Sequence, residues 1–120
     1  MTQATESPPR MKWSLDKYHE LVKTGVLADL RVELLQGDIV EMSPVEPAHD
    51  DTREELADYL RTRLGSRGRV REATAVTLPD NSEPIPDIAV VKPQRYRDRH
   101  PYPEDVYLLI EIANSRPGRD

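Results

Sequence analysis

Apolar residues along the chain fall into two rhythms, one with a period near 3.6 and one with a period of 2, arranged in successive blocks. Leu15, Tyr18, Leu21 and Val22 recur at helical spacing. Ser14 stands before them as an N-cap and Gly25 after them as a left-handed terminator, so the spacing predicts a helix over 15–24. Trp13 is placed to pack at its entry as a hydrophobic staple. Two short runs, 31–35 and 38–42, flank Gln36-Gly37 and read as a tight β-hairpin, which Pro44 and Pro47 close. Residues 49–64 are again helical. Asp50 and Asp51 sit at the positive end, Leu56, Tyr59, Leu60 and Leu64 form one apolar stripe, and Gly65 stops it.

From Val70 to Leu78 the pattern alternates and predicts a strand, although Glu72 interrupts its apolar face. Residues 79–86 form a proline-rich turn region, and 87–91 are a short apolar run expected to be a buried strand. A polar loop over 93–105 leads into VYLLIEI (106–112), the most apolar segment, expected to be a central strand. The last eight residues show no periodicity, and residues 1–12 read as a disordered leader before a domain spanning 13–120. Helix, hairpin, helix and three strands predict an α/β (α+β) fold, a mixed sheet flanked by helices.

Composition narrows the function classes. A chain of 120 residues suits one domain. No apolar run approaches the roughly 18–20 residues of a membrane span, and the N-terminus lacks the apolar core of a secretory signal. The absence of cysteine excludes disulfides, thiolate zinc sites, iron–sulfur clusters and cysteine nucleophiles. A cytoplasmic protein is expected. The net charge of -5 is uneven, because the first sixty residues carry 6 basic against 13 acidic side chains. The second half holds arginine clusters at 61, 63, 67, 69 and 71 and at 95, 97 and 99. Such clusters can neutralise the phosphates of DNA, or serve simply as a solvated helix face and loop.

Two acids occupy positions that apolar strands usually refuse. Asp87 opens IAVV, and Glu111 sits inside LLIEI. A carboxylate in a buried strand costs several kcal/mol unless it is paired, hydrogen-bonded or metal-bound. If the two strands are neighbours, both acids reach one end of the sheet, where two hard oxygen ligands suit Mg²⁺ or Mn²⁺ and metal-activated water. The plainer alternatives are a turn-capping Asp87 and a Glu111 that faces the rim or pairs with an arginine. His19, taken as solvent-facing, and His100 have no zinc-binding spacing.

Several collinear blocks carry a resemblance: WSLDKYH (13–19), GVL (25–27), VELLQGDIVEMSP (32–44), His49, SEPIPDIAVV (82–91), RYRDRHPYPEDV (95–106) and LLIEIANS (108–115). Together they resemble the Uma2 family of restriction endonucleases, within the PD-(D/E)XK nuclease superfamily. The resemblance implies a restriction-endonuclease-like core and metal-dependent DNA hydrolysis. It places metal-binding acids at Asp87 and Glu111, an accessory acid at Glu33, and a site histidine at His49. Mg²⁺ or Mn²⁺ is the implied cofactor, DNA the implied partner through the arginine clusters, and a homo-oligomer is possible within that scheme. Glu33 also reads as an ordinary hairpin residue and His49 as a plain helix-start residue.

The chain departs from the superfamily pattern at Ala113, where a lysine two residues after the strand glutamate would stabilise developing charge. The family supplies a lysine from a following helix, and the sequence given has none after Lys92, so a chain truncated before the last helix and strands is the expectation. Ala73 also replaces the glutamine frequent in the family. Three functions follow: an endonuclease of the Uma2 type, a non-catalytic remnant, or a protein-interaction module using the 106–112 strand.

Overall fold

In the computed structural model, which describes residues 8–113, helix α1 runs from Leu15 to Lys23. The Ser14 hydroxyl accepts the Lys17 N–H at 3.2 Å, and Gly25 follows at φ 81° as the left-handed stop. Strands β1 (Val32–Leu35) and β2 (Asp38–Glu41) form the expected antiparallel hairpin. Its turn residues Gln36 and Gly37 both have positive φ, 48° and 87°, as a two-residue turn matching the strand twist requires. Gly37 is needed twice over, because a Cβ there would lie 3.0 Å from that of Lys12. The close approach lets the Trp13 N–H donate to the Gly37 carbonyl at 2.8 Å.

Helix α2 spans Pro47–Leu64. It starts two residues earlier than expected, because a proline in the first helical turn has no N–H to lose. His49 and Ala57 are its buried residues, with Leu56, Leu60 and Leu64 packed against the core. Tyr59, expected on that stripe, points off it and is 56% exposed. Arg63 covers its ring at 5.6 Å.

Strands β3 (Arg69–Glu72), β4 (Ile88–Val91) and β5 (Val106–Ile110) form a second sheet in the order β3-β4-β5, antiparallel throughout. The fold is therefore α+β with two antiparallel sheets among the described residues. β4 is buried along its whole length. Ile88 and Val90 join Ala57 and Val70 under α2, while Ala89 and Val91 pack on the other face with Val76, Leu78 and Tyr96. Burial on both faces accounts for its uninterrupted apolar run.

Two strand expectations need correction. Among the described residues VYLLIEI is not central: β5 ends at Ile110, lies last in the order β3-β4-β5, and exposes Tyr107, Leu108 and Leu109. The strand expected over 70–78 ends at Glu72, because Ala73 takes φ 51° and turns the chain away. Val76 and Thr77 then donate to the Pro84 and Pro101 carbonyls at 3.0 and 2.9 Å, so the alternating pattern continues in the core without a ladder.

The segment 81–85 joins the two sheets. The Glu83 N–H donates to the Leu34 carbonyl at 2.7 Å, the Gly37 N–H to the Asn81 carbonyl at 2.8 Å, and the Gln36 N–H to the Ser82 hydroxyl at 2.7 Å. Leu34 is fully buried at this seam. Among the described residues no helix is long and apolar enough to cross a membrane. Most of the expected leader, residues 1–7, and the final residues 114–120 lie outside the described part.

Leu34→Ala is expected to destabilise the chain by about 2–5 kcal/mol through the cavity it leaves. Urea denaturation checks this, and a loss like that of an exposed residue would mean the hairpin is not packed into the domain.

Candidate active site

The antiparallel register that pairs Ile88 with Ile110 carries one step further, to Asp87 beside Glu111. The Asp87 N–H donates to Glu111 Oε1 at 3.3 Å, and the Ile112 N–H donates to Asp87 Oδ2 at 2.7 Å. α2 brings His49 to the same point, its Nε2 lying 3.3 Å from both Asp87 carboxylate oxygens. The imidazole is 6% exposed and the Asp87 side chain 18%. Nδ1 of His49 is buried without a hydrogen-bond partner, the nearest carboxylate oxygen being Asp50 Oδ1 at 3.8 Å. From the hairpin, Glu33 Oε1 accepts the Ile85 N–H at 3.0 Å, two residues before Asp87. All four residues singled out in the sequence thus meet at one end of β4.

Burial is the largest influence on the Glu111 carboxyl and pushes its pKa up. The hydrogen bond from the Asp87 N–H opposes this, while the Asp87 carboxyl and the negative charge of Glu33 push it further up. Burial, with the like charges beside it, thus disfavours the ionised form of Glu111. Two carboxylates with a third acid nearby are a donor set that fits Mg²⁺ or Mn²⁺, which are commonly held by one or two carboxylates with water and phosphate oxygens completing the shell. Among the described residues no group of three or more His, Asp or Glu is arranged to hold a metal ion. The fit rests on the pair.

The arginine clusters divide by what they touch. Glu72, which seemed out of place in its strand, accepts from Arg53 at 3.3 Å and Arg61 at 2.8 Å, tying α2 to β3. Arg67 donates to the Arg63 and Leu64 carbonyls at the end of α2, a favourable place for a cation. Arg69 reaches the Gln94 carbonyl and Arg71 the Thr74 hydroxyl. Arg99 pairs with Asp105 at 2.9 Å. Arg95 and Arg97 project from the loop and are exposed.

Sequence reasoning missed a second polar cluster. His19, read as solvent-facing, places Nε2 2.7 Å from Glu83 Oε2, and Thr77 donates to the same oxygen at 2.7 Å. An acid between serine and proline gives little sign of being 6% exposed.

The family model described as Uma2, putative restriction endonuclease, matches residues 15–120. The chain belongs to the Uma2 family. Among solved structures, it is similar to a crystal structure of a putative nuclease belonging to DUF820 from Anabaena variabilis. The TM-score is 0.58 at 18% identity, over 84% of this chain and 50% of that one. This likeness concerns the fold, and the chain spans about half the length of that structure. No curated protein matches. In Uma2 terms, the hairpin, α2, β4 and β5 converge where the resemblance placed its acids.

The raised Glu111 pKa has a definite linkage sign. The folded chain holds that proton more tightly than the unfolded chain, so Glu111 favours folding below the ordinary glutamate range, and this contribution is lost as pH rises through the raised value. Glu111→Gln should therefore raise the melting temperature at neutral pH without metal, by about 1–4 °C given solvent screening. Thermal melts from pH 4 to 8 check this; a Gln variant less stable at neutral pH would reverse the assigned charge balance.

Proposed function

We propose that the Asp87–Glu111 end of β4 is the centre of a metal-dependent nuclease, hydrolysing phosphodiester bonds in DNA. The observation that carries this reading is the meeting of two carboxylates at the adjoining ends of β4 and β5, one with its pKa raised, in a chain of the Uma2 family. Asp87 and Glu111 would hold Mg²⁺ or Mn²⁺. When bound, such an ion supplies a Lewis acid for the phosphoryl oxygen and a more acidic water. The Ile112 N–H fixes Oδ2 of Asp87, and His49, equidistant from both oxygens, orients the same carboxylate. Glu33 holds the Ile85 amide and so sets the turn that presents Asp87. Arg95 and Arg97 are the exposed cations for the DNA backbone.

A second reading, a domain that keeps the fold without cleavage, is favoured by Ala113, which offers no charge two residues beyond Glu111. The exposed apolar side chains of Tyr107, Leu108 and Leu109 on β5 suit such a protein to interaction with other chains, a homo-oligomer included.

Plasmid DNA incubated with the protein and Mn²⁺ separates the two. Nicking that Asp87→Asn and Glu111→Ala each abolish supports the nuclease; no nicking at high protein concentration supports the non-cleaving domain. His49→Ala is expected to weaken Mn²⁺ binding about 10–100-fold, as loss of a ligand-orienting partner does. Calorimetric titration checks this, and unchanged affinity would remove His49 from the site.

A further inference from the structure

Away from Asp87, on the face of the larger sheet opposite α2, a cleft of about 830 Å³ opens between α1 and the 96–104 loop. Its size exceeds what one nucleotide needs, and its lining is chemically specific. Glu83 lies in it, 6% exposed. Oε2 of Glu83 is taken by His19 and Thr77, both at 2.7 Å. Oε1 is not engaged by either of them. Beside it lies His100, half-buried, whose imidazole pKa is pushed down by burial, so that at neutral pH it can both donate and accept.

One wall carries two tyrosine rings, Tyr96 and Tyr102, beside the Arg99 guanidinium. The Arg99 guanidinium lies 4.0 Å from the Tyr102 ring centroid and 5.9 Å from that of Tyr96. Asp105 locks that guanidinium from behind at 2.9 Å. Planar rings and guanidinium planes are surfaces on which unpaired bases stack. Arg97 and Lys23 stand among the lining residues as exposed cations beyond the Arg99–Asp105 pair, set against Asp16, Asp98 and Glu104. That mixed set suits a ligand of low charge, one phosphate and not a triphosphate.

We infer that this cleft binds a single unstacked nucleotide, with Glu83 Oε1 accepting from the exocyclic amino group of the base and Tyr102 with Arg99 stacking on its face. The carboxylate would favour bases that bear an amino group, cytosine, adenine and guanine, over thymine. The inference deepens the nuclease reading, because a pocket for one extruded base would let the protein hold strand ends or unpaired positions. It does not require cleavage.

The test is titration of dCMP, dAMP, dGMP, dTMP and inorganic phosphate into isotope-labelled Asp87→Asn protein without divalent metal, following the imidazole signals of His19 and His100 and the tyrosine rings. Replacing Asp87 keeps the result separate from the metal site: nucleotides bind whether or not the protein cleaves DNA. Amino-bearing nucleotides should shift the His19, His100 and Tyr102 signals, with dTMP binding at least about tenfold more weakly, the scale of one hydrogen bond to a charged group. Tyr102→Leu and Arg97→Ala, both at exposed positions, should weaken the response at unchanged melting temperature. Equal shifts with inorganic phosphate or dTMP would overturn base recognition, and no shift at either histidine would overturn the pocket. Glu83→Gln is a second arm: the amide oxygen keeps the Thr77 hydroxyl bond, so the amide NH₂ faces the base and the preference for amino-bearing bases should be lost; a folded Gln variant with unchanged base preference also counts against the assignment.

Discussion

The antiparallel bridge between Leu34 and Glu83 is the contact on which the arrangement depends. The 81–85 segment has no strand of its own, yet it takes backbone bonds from the hairpin through Leu34 and Gly37 and a side-chain bond from Glu33. α1 attaches to the same segment, as Leu15 N–H meets the Asn81 side chain and His19 meets Glu83. Without that seam the hairpin would be an isolated two-stranded ribbon, which is marginal in water. With it, the chain enters β4 at a fixed place, and Asp87 lies two residues past the seam.

Charge in this protein is organised around a few acids. Glu72 binds α2 to β3 through two arginines, and Glu83 binds α1 to the core through His19. Asp105 holds the 96–105 loop: the Tyr102 N–H and Arg99 lower its pKa, the backbone bond more than the arginine. Each of these acids has its countercharge or donors supplied by the fold. Glu111 differs, because burial and like charge raise its pKa. Among the described residues Glu33, Asp87 and Glu111 have backbone N–H donors and His49 but no lysine or arginine partner, and that contrast marks the end of β4 apart from the structural ion pairs.

Much of this was legible in the residues. Gln36-Gly37 dictated the hairpin, Ser14 and Gly25 bounded α1, and an apolar run of four residues after Asp87 announced a strand buried on both faces. The meeting of Asp87 with Glu111 was conditional on strand adjacency, which periodicity does not contain. The role of VYLLIEI was misjudged for a related reason: hydrophobicity measures how much a strand gains by burial, whereas its place in the sheet depends on which neighbours exist to cover it. Ala73 is a local case, since alanine shows no preference for positive φ and its turn is imposed by the bonds that Val76 and Thr77 make elsewhere.

The sequence by itself determined most of the elements, the family and four candidate residues, because helix caps, turn glycines and acids within apolar runs act over a few neighbours. Tertiary structure decided which of those residues touch, that most of the arginines near α2 and β3 serve the fold, and that His19 reaches a buried glutamate far along the chain. Those outcomes depend on the register of β4 with β5 and on the 81–85 seam, which join positions dozens of residues apart.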